Sequence, residues 1–110
     1  PGAERFIEDF RERFAADPLS YAARAYDATG ICLKGIEEAA RAKGGSLPTR
    51  SEVASAIRAL QSYQGLTGTY TFNRHGDPNN VQYYVLQVTS LDLADWTRNP
   101  IVASYEVTLP

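Results

Sequence analysis

The chain has 110 residues, a formal net charge of -2 and 44% hydrophobic residues, which suits one globular domain with a core of modest size. A near-neutral chain without a basic cluster is not expected to bind nucleic acid. The single cysteine, Cys32, excludes an internal disulfide framework, and no stretch is apolar enough to predict a transmembrane helix. The chain contains no methionine and begins with Pro1, so we expect a processed protein or a piece of a longer one.

Composition divides the chain into a helical segment and a strand segment. Residues 1–64 are rich in Ala, Glu and Arg, which favour helices. Residues 65–110 are rich in Tyr, Thr and Val, which favour strands. The sequence therefore predicts an α/β fold in which three helices precede a mostly antiparallel hairpin of two or three strands.

Apolar residues at helical spacing and terminal signals predict the first and third helices. The first covers about residues 3–15 and ends before Pro18, because a residue that precedes proline is driven out of the helical region. The third covers about residues 50–62. It begins with a capping box, in which Thr49 is the N-cap and Glu52 follows three residues later.

The second helix covers about residues 20–42 and is apolar on most of its circumference. Ser20 is its predicted N-cap, and Gly44 is placed to end it. Gly30 and Gly35 lie inside the helix, where glycine is unfavourable, so we expect another element to pack closely against them.

Alternating residues predict strands at about 69–72, 81–89 and 101–107. The strand at 81–89 carries apolar residues on both faces, which is typical of a central strand. The intervening residues 92–100 are predicted to form a loop or a single helical turn.

The residues give no support for catalysis, a bound metal or a cofactor. His75, the only histidine, neighbours Asp77 in a turn that contains glycine and proline, and two such groups are too few for a metal site. Cys32 lies on the apolar face of the second helix, which indicates a small buried side chain rather than a nucleophile. No nucleophile elbow and no phosphate-binding glycine loop is present, so the chain is not predicted to be an enzyme.

Four residues at the start of the second helix form the most plausible binding cluster: Tyr21, Arg24, Tyr26 and Asp27. A helix N-terminus with aromatic and hydroxyl groups can hold a small anionic or zwitterionic ligand. The alternative is that the tyrosines pack on neighbouring elements while Arg24 and Asp27 form an i,i+3 ion pair. The residues alone favour this alternative.

Several motifs, in order and at suitable spacing, cover residues 4–90. They are Phe6-x3-Phe10-x3-Phe14, Pro18-Leu19-Ser20-Tyr21-Ala22-Ala23, Ala25-Tyr26-Asp27-Ala28, Glu52-Val53 with Ile57-x2-Leu60, and Gly65-x2-Gly68-x3-Phe72-x3-Gly76-Asp77 before a strand at 81–88. This pattern resembles the C-terminal part of the branched-chain amino-acid receptors. These are type I periplasmic substrate-binding proteins of ABC transporters, of the leucine/isoleucine/valine-binding type.

The resemblance implies a two-lobed α/β receptor that binds its ligand in the cleft between the lobes, of which this chain would be one fragment. In the family, an aromatic residue five positions before the tyrosine of the Tyr-Asp-Ala motif lines the pocket, and that residue here is Tyr21. Tyr26 and Asp27 are weaker ligand-binding candidates with mainly packing roles. The tail from Asp92 has no clear family counterpart.

The resemblance further implies an extracytoplasmic receptor, periplasmic or at the cell surface, that delivers an amino acid or related small carboxylate to a membrane permease. A ligand-sensing regulatory domain of the same fold and a stand-alone interaction module are the alternatives. Because a piece of a two-lobed protein would expose normally buried faces, we also expect the chain to form a homo-oligomer.

Overall fold

A computed structural model describes residues 2–19 and 21–108 of the chain. Three helices come first, followed by two antiparallel pairs of strands, which confirms the predicted α/β order. The elements are α1 (Gly2–Phe14), α2 (Ala22–Ala42), α3 (Arg50–Ala59), β1 (Tyr63–Gln64), β2 (Thr69–Tyr70), β3 (Asn80–Leu86), a 3-10 turn (Leu93–Arg98) and β4 (Ile101–Thr108).

The helix ends differ from the predicted ones for local backbone reasons. Ala15 has a left-handed backbone with φ of +51°, so α1 ends at Phe14. Tyr21 is the N-cap of α2 and makes no side-chain capping hydrogen bond; the predicted cap, Ser20, lies outside the described residues. Helix α3 ends at Ala59, three residues early, because Leu60 turns to an extended conformation.

The two glycines inside α2 are points of close approach, as predicted. A Cβ atom at Gly35 would overlap the side chain of Ile57 on α3, and one at Gly30 would overlap the hydroxyl of Tyr63 on β1. The buried residues of α2 are four positions apart, so they form a single stripe along the helix. They are Asp27, Ile31, Gly35 and Ala39.

The buried stripe of α2 is narrower than the apolar face that the sequence presents. Cys32 is exposed, so the prediction that it is buried is wrong. It lies about 100° around the helix from Ile31, outside the stripe that faces α3 and β1. Leu33 is 63% exposed and Ile36 is 44% exposed for the same reason.

The strands form two separate two-stranded sheets. In the first, Tyr63 pairs with Tyr70, so the predicted strand at 69–72 is shorter than expected and has a partner in β1 that the sequence pattern did not reveal. In the second, β3 pairs with β4 in a register that places Tyr83 opposite Tyr105. The prediction that β3 is a central strand is wrong, because among the described residues β4 is its single neighbour.

The chain exposes far more surface than a compact domain of its size. Its accessible surface is 8685 Å², whereas a folded monomer of this mass exposes about 6,000 Å². The radius of gyration is 17.4 Å, compared with about 13 Å for a compact chain of similar length. Within the described ranges, the buried apolar side chains are Ile31 and Ala39. No described helix has the length and apolar character needed to cross a membrane.

We predict that Gly35→Ala destabilises the chain, although alanine is normally better than glycine inside a helix by about 0.5–1 kcal/mol. The new methyl group would overlap the side chain of Ile57, so α2 and α3 must separate. Thermal unfolding followed by circular dichroism measures the effect as a lower Tm. In an Ile57→Ala background the same substitution should no longer lower the Tm, and an equal loss in both backgrounds would contradict the packing explanation.

We predict that part of the stability of the chain is lost between about pH 4.5 and pH 2. The carboxylate of Glu52 accepts hydrogen bonds from the backbone N–H of Thr49 at 2.6 Å, the hydroxyl of Thr49 at 2.8 Å and Nζ of Lys43 at 3.1 Å. These bonds, the backbone bond foremost, lower the pKa of Glu52 from 4.5 to about 2. A lowered carboxyl pKa stabilises the folded chain above the unfolded pKa, and this contribution disappears as the pH falls through the folded pKa.

The measurement is the Tm as a function of pH for the parent chain and for Glu52→Gln. Other carboxyl groups titrate equally in both proteins, so the difference between the two curves isolates Glu52. We expect that difference to shrink below pH 4.5. Parallel curves down to pH 2 would show that the capping box contributes nothing that depends on protonation.

Candidate functional site

Tyr21 presents its ring to solvent at the beginning of α2. Its side chain is 73% exposed, and the guanidinium carbon of Arg24 lies 5.9 Å from the centre of the ring, within cation–π distance. Arg24 forms no ion pair with any described residue. The start of α2 therefore offers an uncovered aromatic ring beside a cation that has no ionic partner among the described residues.

Asp27 is the most buried residue at the start of α2, with 2% of its surface exposed. Its carboxylate accepts hydrogen bonds from the backbone N–H of Leu66 at 2.7 Å, the backbone N–H of Thr67 at 2.8 Å and the hydroxyl of Thr67 at 2.6 Å. The alternative in which Asp27 pairs with Arg24 on the surface is therefore wrong. The role of Asp27 in ligand binding stays a prediction; the structure shows that it holds the turn between β1 and β2.

The turn between β1 and β2 is shaped to receive this carboxylate. A Cβ atom at Gly65 would lie 2.7 Å from the carboxyl group of Asp27, so glycine leaves the space that the contact needs. The backbone N–H of Gly65 donates to the carbonyl of Gly68 at 2.9 Å, which closes the turn. We call the hydrogen bonds that the carboxylate of Asp27 accepts from Leu66 and Thr67 the Asp27 contact.

Tyr26 lies on a different surface from Tyr21. Its ring is 60% exposed and meets that of Phe6 edge to face, with ring centres 5.3 Å apart. It forms one wall of an open groove of about 940 Å³ between α1 and α2, which Tyr21 does not line. The rings of Phe6, Phe10 and Phe14 continue along this groove at 5.9 Å and 4.6 Å. The structure therefore does not bring the two predicted tyrosines into one site.

The single histidine lies in the loop between β2 and β3. His75 is exposed, as predicted for a turn residue, and its Nε2 accepts a hydrogen bond from Nε of Arg74 at 3.0 Å. The backbone N–H groups of His75 and Asp77 both donate to Oδ1 of Asn73, which organises the loop. Over residues 2–19 and 21–108 no group of three or more histidine, cysteine or carboxylate side chains is placed to hold a metal ion.

Comparison with known proteins gives two matches. The profile of the family described as periplasmic binding protein matches residues 1–92. The crystal structure of the leucine-binding protein LivK from Thermotoga maritima is similar to this chain, with a TM-score of 0.56 and 30% sequence identity. That similarity covers 72% of this chain and 21% of LivK, so the chain spans about a fifth of the length of LivK. No curated protein matches the sequence significantly.

Proposed function

Because the chain belongs to the periplasmic binding protein family, we propose that it acts as part of an extracytoplasmic receptor that captures an amino acid or a related small carboxylate. The observation that carries this proposal is the likeness to LivK, a leucine-binding protein, at 30% identity over 72% of the chain. The receptor would work in the periplasm or at the cell surface and deliver its ligand to the permease of an ABC transporter. The mechanism is closure of two lobes on the ligand, with no bond made or broken.

Tyr21 is the residue of this chain that we place against the ligand. Its exposed ring supplies apolar contact area with few rotatable bonds, and its hydroxyl can select a polar group. Arg24, beside it and without an ionic partner among the described residues, would favour a ligand that carries a carboxylate. Tyr26 and Asp27 stay weaker candidates, because the first faces the groove beside α1 and the second faces the turn after β1.

We predict that Tyr21→Ala weakens amino-acid binding by about tenfold in the full product of the gene that encodes this chain. The loss of one aromatic contact is worth roughly 1.5 kcal/mol, and 1.4 kcal/mol corresponds to a factor of ten in Kd. Tyr21→Phe should lose less, because it retains the ring and loses only the hydroxyl. Isothermal titration calorimetry with a panel of amino acids, L-leucine first, measures both effects.

Tyr105→Ala is the matched control, since Tyr105 is a similarly exposed tyrosine, at 59%, with no proposed ligand role. Its Kd should equal that of the parent protein. Equal Kd values for Tyr21→Ala and the parent would remove Tyr21 from the site. No saturable heat with any amino acid or small carboxylate would overturn the proposed function itself.

We also propose that the isolated chain forms a homo-oligomer. The accessible surface of the chain is about 2,700 Å² larger than that of a compact monomer of its mass. This excess is larger than the roughly 800 Å² that each partner buries in a typical stable interface. One face of the β3–β4 pair is apolar throughout and partly exposed. In chain order its residues are Val81, Tyr83, Val85, Ala103, Tyr105 and Val107.

Sedimentation velocity over a range from low micromolar to near-millimolar protein tests this association. We expect the mean sedimentation coefficient to rise with concentration. Val85→Lys should reduce the rise, because it introduces a charge into the apolar face, whereas Ser104→Lys on the opposite face is the control. A single monomeric boundary at the highest concentration would contradict the proposal.

A further inference from the structure

The buried carboxylate of Asp27 ties the first turns of α2 to the hairpin formed by β1 and β2. We propose that Asp27 is a positioning residue, and that the Asp27 contact fixes where α2 begins and therefore where Tyr21 lies. The inference rests on the proposed function in so far as Tyr21 is a ligand contact. It concerns the backbone of the 65–68 turn and the start of α2, so it can be tested without any ligand.

The burial of Asp27 is tolerable because the turn supplies donors. A carboxylate removed from water is costly unless hydrogen bonds replace its hydration. No lysine or arginine within the described parts of the chain pairs with Asp27. Its hydrogen-bond donors are two backbone N–H groups and one hydroxyl, all from Leu66 and Thr67. Loss of the turn would leave a buried charge unsatisfied, so helix and turn must move together.

Three further interactions complete a closed cycle of contacts that includes the Asp27 contact. The hydroxyl of Thr67 lies 2.5 Å from that of Tyr70 on β2. Tyr70 pairs across the sheet with Tyr63, whose hydroxyl lies against Gly30 of α2. Asp27 and Gly30 are three residues apart on one helix face, so the hairpin is attached to α2 at two successive points. Rotation of the hairpin about either point alone is therefore prevented.

The start of α2 is held by this cycle of contacts and by the edge-to-face contact of Tyr26 with Phe6 on α1. Tyr21 depends mainly on the cycle, because Tyr26 is 60% exposed whereas Asp27 is buried. Tyr21 itself makes no capping hydrogen bond through its side chain, and Asp27 is the first buried residue of the helix. The close approach of α2 to Ile57 on α3 lies further along the helix, at Gly35. Helix ends fray unless their terminal groups are held, so we expect the first turns to lose a fixed position when the Asp27 contact is broken.

Amide hydrogen exchange read residue by residue by NMR tests the contact in the 110-residue chain. In Asp27→Asn one acceptor oxygen becomes an NH₂ group that opposes the donors of the turn. We expect exchange at the amides of Leu66 and Thr67 to accelerate at least about tenfold, the factor that corresponds to 1.4 kcal/mol of lost protection. Amides within α3 should keep the exchange rates of the parent chain, because no described residue of α3 donates a hydrogen bond to Asp27.

A milder pair of variants keeps the test decisive if Asp27→Asn fails to fold. Thr67→Val removes the hydroxyl that donates to Asp27 and meets Tyr70, whereas Thr67→Ser keeps it. We expect faster exchange at the Leu66 amide in Thr67→Val and the parent rate in Thr67→Ser. The same rates in the valine and serine variants would overturn the proposed contact.

A ¹⁹F label at the ring of residue 21, introduced as fluorotyrosine at that position alone, reports whether the contact positions Tyr21. We expect one sharp resonance in the parent chain and in Thr67→Ser, and a shifted or broadened one in Asp27→Asn and Thr67→Val. Unchanged resonances together with fast turn amides would show that Asp27 holds the turn without positioning Tyr21, and would overturn the proposal. None of these signals involves a ligand, so they can fail or succeed independently of the binding experiment with Tyr21→Ala.

Discussion

A carboxylate with 2% of its surface exposed must find hydrogen-bond donors inside the protein, and this requirement of Asp27 organises the packed part of the chain. Its donors come from residues that are 39 and 40 positions later in the sequence. The bond brings the β1–β2 hairpin onto α2, and the two glycines of α2 then allow Tyr63 and Ile57 to approach its backbone. Within residues 2–19 and 21–108, helices α2 and α3 and the first hairpin therefore form a region in which polar and apolar contacts support each other.

The remaining elements lie outside that region and account for the large surface. Helix α1 contributes aromatic rings to an open groove, and the β3–β4 pair has exposed tyrosines on both faces. Such surfaces suit a protein that binds other surfaces or a ligand. Membership of a family of binding proteins and the start of α2, where an aromatic ring and a guanidinium are uncovered, agree with that interpretation.

The features that could be predicted from the sequence are those set by neighbours along the chain. The capping box of Thr49 and Glu52 is present in full, because both of its bonds join residues three positions apart. The exposure of Cys32 and the edge position of β3 could not be predicted in this way. Both depend on what packs against an element, and apolar composition shows only that a face can be buried. Strand β1 was missed because two residues after a helix are too few to display an alternating pattern.

In the candidate site, too, the partners of single residues could not be predicted from their neighbours along the chain. Arg24 is three positions before Asp27, so a local ion pair was the natural interpretation, yet the carboxylate is bound by backbone N–H groups on a distant turn. In the sequence, the Tyr-Asp-Ala motif on α2 and the paired glycines at 65 and 68 are separate motifs. In the structure the aspartate of one motif fills the space left by Gly65 of the other. The two motifs therefore meet in one contact, because the buried carboxylate needs the N–H donors of the turn and Gly65 leaves the space for it.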